Sequence, residues 1–201
     1  MLLYMPFEGG SDSDSTKDYS GYGNDGVVYG ATWNRTGGKI GGVYSFDGAN
    51  DYISIPDTSI LEPPNNITIE VWIKINALPT GSNEQIILTK RHSTNPWSPY
   101  DLRISKDQAY MSWKNSTANS WYNTGTNYAL NTGSWYHLVA VKNGITLLFY
   151  VNGSNYDTYT ETDVTGTLFA SDGPLNIGAG DFEEYFNGTI SDVRIYNYSL
   201  S

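Results

Sequence analysis

A two-sheet antiparallel β-sandwich is the fold this sequence predicts, and three observations carry the prediction. Apolar and polar residues alternate from one end of the 201-residue chain to the other, and no segment keeps helical periodicity for three turns. The chain is aromatic-rich, with 17 Tyr, 6 Trp and 6 Phe, side chains that suit a pleated, half-buried surface. Its 21 Gly supply tight connections between about a dozen short strands, a spacing that belongs to sandwiches.

Taken in order, the strand candidates begin with Leu2 to Phe7, Gly26 to Tyr29, Gly42 to Phe46 and Tyr52 to Ile55. The clearest is Ile67-Thr68-Ile69-Glu70-Val71-Trp72-Ile73-Lys74-Ile75, whose odd-numbered residues form one apolar face. Gln85 to Lys90, Leu102 to Ser105 and Tyr110 to Lys114 follow. Trp135 to Val141 is apolar on both faces, as expected of a central strand covered on both sides. Lys142-Asn143-Gly144 reads as a hairpin turn into Thr146 to Val151, with Asn152-Gly153 as the next turn. Leu175 to Gly178 and Thr189 to Tyr196 complete the set, and Gly9 to Asn24, Ser93 to Tyr100 and Asn115 to Ala129 read as long loops suited to ligand contact.

The formal net charge is −10, which argues against nucleic acid and anionic membranes and favours neutral partners and cations. No segment has the roughly 18 apolar residues of a membrane span. With 0 Cys, thiolate chemistry and disulfides are excluded. Asn-x-Ser/Thr sequons at Asn34, Asn66, Asn115, Asn152, Asn187 and Asn197 agree with an extracellular or cell-surface setting. No linker, repeat or low-complexity tract divides residues 1–201, so one domain is expected, read as a module of a longer secreted or surface protein with neighbouring domains.

Four segments give this reading a family. They are Met5-Pro6-Phe7-Glu8 with Asp18-Tyr19-Ser20-Gly21-Tyr22-Gly23-Asn24-Asp25-Gly26; Gly41 to Gly48 running into Asp51-Tyr52-Ile53; Thr68 to Ile73 with Trp135 to Val141; and Phe186 to Asn197. In this order and spacing they resemble the laminin-G-like domains of the concanavalin A-like lectin/glucanase superfamily. The resemblance implies a jelly-roll β-sandwich of two curved antiparallel sheets with the terminal strands side by side. It further implies a module that binds glycans or proteins, with a structural calcium ion.

Catalysis finds little support. Polysaccharide hydrolases of the superfamily carry Glu-x-Asp-x-x-Glu on one strand, and a retaining mechanism needs the two carboxyls roughly 5–5.5 Å apart. The nearest approach is Glu161-Thr162-Asp163, with Gly166 where the second Glu belongs. His92 and His137 are the only histidines, and His137 lies in a core-like strand as a structural residue. The abundant tyrosines leave a polysaccharide lyase open.

Sugar recognition calls for aromatic rings interleaved with short polar side chains. Ser93 to Asp101 and Trp113 to Asn123 have that composition, which makes Trp97, Tyr100, Asp101, Trp113, Trp121 and Tyr122 ligand candidates, with Tyr185 beside them. Prolines on either side of Trp97 would limit its freedom before binding. The expected partner is an oligosaccharide or polysaccharide; the alternative is a structural or adhesive contact with a surface protein. By resemblance, calcium falls to Glu8 or its neighbour Phe7, to Gly48 and to Asp192. The Gly-rich loop adds Asp18 and Asn24, since glycine permits turns that direct carbonyls inward.

Overall fold

The computed structural model describes residues 1–9, 14–92, 98–114, 121–160, 167–168, 170–180 and 184–200, with Trp121 described by its backbone. Two eight-stranded antiparallel sheets face each other. The first sheet contains β1 (Leu3–Met5), β4 (Thr32–Asn34), β5 (Val43–Asp47), β7 (Asn66–Ile75), β12 (Trp135–Asn143), β13 (Thr146–Val151), β14 (Ser154–Thr160) and β16 (Asn187–Tyr196). It runs β14-β13-β12-β7-β16-β5-β4, and β1 pairs with β16, so the first and last strands lie side by side.

The second sheet contains β2 (Ser15–Thr16), β3 (Gly26–Tyr29), β6 (Tyr52–Ile55), β8 (Glu84–Lys90), β9 (Tyr100–Ser105), β10 (Gln108–Lys114), β11 (Trp121–Gly125) and β15 (Leu175–Ile177). Its order is β11-β10-β9-β8-β15-β6-β3-β2. A single 3-10 turn, Ser59–Leu61, is the only helix among the described residues, and none is long and apolar enough to cross a membrane.

Alternation decides what each strand buries. Ile67, Ile69, Val71, Ile73 and Ile75 of β7 point into the core, with Leu138 and Ala140 of β12 and Val193 and Ile195 of β16. They meet Ile53 and Ile55, Leu102 and Ile104, Met111, Leu175 and Ile177 from the second sheet. The β12–β13 hairpin turns at Gly144, and Asn152 and Gly153 both take positive φ in the next turn, as that tight hairpin demands.

Four strands were not legible as strands: β2, β4, β11 and β14. The outer face of β12 also differs from expectation, because Trp135, His137 and Val139 are half-buried there and no further layer of strands covers them. His137 belongs to this outer face and not to the core. Its ring stacks on Trp72, centroids 4.8 Å apart, and its Nε2 lies 2.8 Å from Glu70 Oε1. That hydrogen bond is the main cause holding the Glu70 carboxyl below its ordinary range. Lys39, from the loop before β5, places its ammonium 5.4 Å from the Trp72 ring centroid.

Candidate functional site

Register in the second sheet assembles something that local sequence conceals. Ser54 of β6 pairs with Asn176 of β15, Asn176 with Thr89 of β8, Thr89 with Asp101 of β9, Asp101 with Ser112 of β10, and Ser112 with Asn123 of β11. Each has apolar strand neighbours pointing into the core or an equivalent register, so all six side chains lie on the outer face. They form one row of short hydrogen-bonding groups across six strands, about 24 Å long at the usual strand spacing.

Larger side chains flank the row. On one side stand Tyr29 and Tyr52, stacked at 4.5 Å with an interplanar angle of 14°, and further along Arg103 and Tyr110. Tyr29 is exposed, so one ring face of this pair is open to ligand. On the other side are Lys114 and the backbone of Trp121, which pair with each other. Ser112 and Asn123 line an open depression of about 180 Å³ with Glu84, Arg103, Ser105 and Tyr110. Glu84 also lines a neighbouring cleft of about 580 Å³, together with Tyr185, Glu184, Thr80, Asn83 and Asn187. The two hollows therefore share a wall.

Arg103 organises the polar end. Its Nε donates to Asp101 Oδ1 at 2.7 Å, its Nη1 to Glu84 Oε2 at 2.6 Å, and its Nη2 to Ser112 Oγ and Asp101 Oδ2. Burial pushes the Asp101 carboxyl from 3.8 up to about 6 against the opposing pull of Arg103. The folded state thus holds a proton that the unfolded chain has released between about pH 4 and 6, so this group's contribution to stability is lost as pH rises through that window. Asp101→Asn is expected to flatten that part of the stability profile, measured by denaturant titration from pH 4 to 7.

Asn176 stands apart from the rest. Only 2% exposed, its side-chain Oδ1 has no hydrogen-bond partner, while the neighbouring Thr89 hydroxyl donates to Ser98 at 2.9 Å. A buried acceptor left unmatched costs about 1–3 kcal/mol.

The sequence-derived ligand candidates divide accordingly. Asp101 is in the row, Tyr185 is in the adjoining cleft, and Trp121 lies in register with Lys114 beside the row. Trp97 is outside the described residues. Tyr100 and Trp113 are corrected to core positions: they pair with each other on the inner face and are completely buried, and the Tyr100 hydroxyl donates to Leu61 O at 2.7 Å. Tyr122 pairs with Trp113 and packs on the core, so it too faces inward. Adjacent strand residues cannot share a face, so Tyr100 and Asp101 could not both contact one ligand. Ser54, Thr89, Ser112, Asn123, Asn176, Tyr29 and Tyr52 were missed. Their signal is a single small polar residue between apolar neighbours, as in Ile53-Ser54-Ile55, Met111-Ser112-Trp113 and Leu175-Asn176-Ile177.

The five residues assigned to calcium do not form one coordination site. Asp18 Oδ1 accepts from the backbone N–H of Tyr4 and Ser20, and Oδ2 accepts from the Ser20 hydroxyl and the Asn24 N–H. Asn24 spends its amide on Leu2 O. The cation beside Asp192 is Arg194, with contacts of 3.0 and 2.7 Å, and Asp192 itself takes a positive φ at a bulge in β16. Glu8 lies against Gly41 before β5, whereas Gly48 packs on Asn187 beyond its other end, about 17 Å of strand away. Among the described residues no group of three His, Cys, Asp or Glu side chains is placed to hold a metal ion. Asp18→Ala is expected to destabilise the protein by about 2–3 kcal/mol, since four donors lose a charged acceptor, and by the same amount in calcium and in chelator. Paired thermal melts check this.

Comparison with known proteins places the chain. It belongs to the Laminin_G_3 family of the concanavalin A-like lectin/glucanase superfamily, whose model matches residues 47–201. Residues 1–46, which precede the match, supply β1 to β4 and part of β5 to the same two sheets. No curated protein matches the sequence. Among solved structures, domain 4 of AbnA, a GH43 extracellular arabinanase from Geobacillus stearothermophilus in complex with arabinotriose, aligns with a TM-score of 0.76 at 18% identity, over 100% of this chain and 93% of that one. The botulinum neurotoxin serotype G binding domain aligns at 0.77 and 15% identity, over 100% of this chain. The serotype D ligand binding domain, in complex with N-acetylneuraminic acid, gives 0.75 and 18% over 99% of this chain. This chain spans 48% of each of those toxin domains, and at such identities the likeness is one of fold.

Proposed function

We propose that this chain is a non-catalytic carbohydrate-binding module of an extracellular or cell-surface protein, and that an elongated oligosaccharide lies across the strands of the second sheet. The observation that carries this reading is the row from Ser54 to Asn123. Thr89, Asp101, Ser112 and Asn176 are buried within it, while Ser54 and Asn123 at its ends reach solvent with a hydroxyl and an amide, and the open ring of Tyr29 beside it suits the apolar face of a sugar. The row is built from backbone-paired strands, so ligand groups would be positioned by a rigid scaffold. Domain 4 of the arabinanase, which this chain matches over nearly its whole length, carries arabinotriose, and its parent is extracellular.

Asn123→Ala tests the reading directly. The substitution trims an exposed side chain that lines the depression, so stability holds to within about 0.5 kcal/mol. Affinity for a retained oligosaccharide falls at least about tenfold, the value of one hydrogen bond to a ligand donor. A glycan array identifies the oligosaccharide and calorimetry measures the loss. Unchanged affinity in the variant would remove the row from the site.

A structural or adhesive role has its own supporting observation. The outer face of the first sheet leaves Trp135, Val139, Leu148 and Tyr150 half-exposed, with Val139 and Tyr150 paired across strands. A folded sample that retains no glycan on the array, yet loses binding to a surface protein when Val139 is replaced by Glu, would favour that reading.

A further inference from the structure

Resting on the binding reading above, we infer that this site selects uncharged sugars and rejects acidic ones, and that Glu84, Asp101 and Arg103 set this preference. An arginine in a sugar site ordinarily recruits carboxylates, because its guanidinium matches them with two parallel hydrogen bonds. Here four of its five N–H donors are already used. Asp101 takes Nε and one Nη2 hydrogen, Ser112 takes the other, and Glu84 holds Nη1, all at 2.5–3.1 Å. A sugar carboxylate would have to displace a protein carboxylate that is anchored in a β-strand.

The surroundings strengthen the rejection. Glu184 lines the adjoining cleft with Glu84, and its charge acts on Asp101 together with that of Glu84. Lys114, the other cation that these strands carry outward, is nearly fully buried and already has a partner. At this end of the row an incoming anion therefore meets Glu84 and Glu184, and like charges brought to within about 4 Å repel by roughly 1–4 kcal/mol at surface-like dielectric values. What the accessible ends of the row offer a ligand is neutral: the hydroxyl of Ser54 and the amide of Asn123.

Calorimetry on the whole 201-residue chain at pH 7 and low ionic strength separates the outcomes. Neutral probes are arabinotriose, xylotetraose and cellotetraose; acidic probes are trigalacturonic acid and 3′-sialyllactose. At least one neutral probe binds at least about tenfold tighter than either acidic probe. Glu84→Gln weakens the hold on Arg103 Nη1 and removes a charge from a partly exposed position, so the ratio of acidic to neutral affinity rises at least about tenfold, and the rise shrinks in added salt. Acidic probes that bind the parent as tightly as neutral ones would overturn the selectivity and leave the binding reading standing. A ratio unchanged in Glu84→Gln would take the role from this trio. Binding of no probe of either kind would overturn both.

Discussion

Lys90→Met should lower stability by about 3–5 kcal/mol, a drop in melting temperature of roughly 10 °C for a chain of this size. Lys90 ends β8 with its side chain wholly buried, and its ammonium meets Asp57 Oδ1 at 2.6 Å, Glu62 Oε1 at 2.9 Å, Ser171 Oγ at 2.7 Å and Gly173 O at 2.6 Å. Glu62 also accepts from the backbone and hydroxyl of Ser171. One ammonium therefore ties the turn before β7 and the segment entering β15 to the end of β8. Methionine fills nearly the same volume but leaves the Glu62 carboxylate, little exposed, without its cation. Adding Glu62→Gln to Lys90→Met recovers part of the loss, because the stranded charge goes with it. A Lys90→Met protein that melts within a degree or two of the parent would show that the network contributes little.

Trp113→Ala should cost about 3–5 kcal/mol, as removal of a large buried aromatic does, and sugar binding then fails only through loss of the folded state. The ring is essentially inaccessible, packs 6.4 Å from Tyr100 between centroids, and belongs to the main core cluster. Trp113→Phe costs much less, since the indole N–H has no partner to lose. Chemical denaturation measures both. If Trp113→Ala instead folds as stably as the parent while affinity falls, the ring contacts ligand and the inward assignment of β10 is wrong.

These two residues show where sequence reading succeeds and where it stops. Strands such as Ile67 to Ile75 announce themselves, because one apolar face buried on a core forces strict alternation. Ser154 to Thr160 gives no such signal, as its side chains are exposed or half-exposed on both faces of an edge strand. Trp121 to Gly125 is polar for a similar reason, and only two or three residues form β2 and β4. For the candidate site, composition pointed to β9 to β11, which carry part of the row, but favoured large aromatics, and alternation had already turned Tyr100, Trp113 and Tyr122 inward. The row itself joins positions 54, 176, 89, 101, 112 and 123, far apart in the chain. Ser54, Asp101, Ser112 and Asn176 are visible locally as lone polar residues among apolar ones, whereas Thr89 and Asn123 have polar neighbours and the alignment of all six depends on the register of six strands. Lys90 was read as the end of a strand; that it is buried among four oxygen acceptors depends on loops that only the fold brings together.

Amide chemical shifts followed while a neutral oligosaccharide retained on the array is titrated into the isotope-labelled chain test the central claim most directly. Saturable shifts should concentrate on Ser54, Thr89, Asp101, Ser112, Asn123 and Asn176, with Tyr29 and Tyr52 beside them, while Trp72, Trp135 and His137 on the other sheet stay still. Shifts concentrated on the outer face of the first sheet, or confined to the Asp18 to Gly26 loop, would contradict the account.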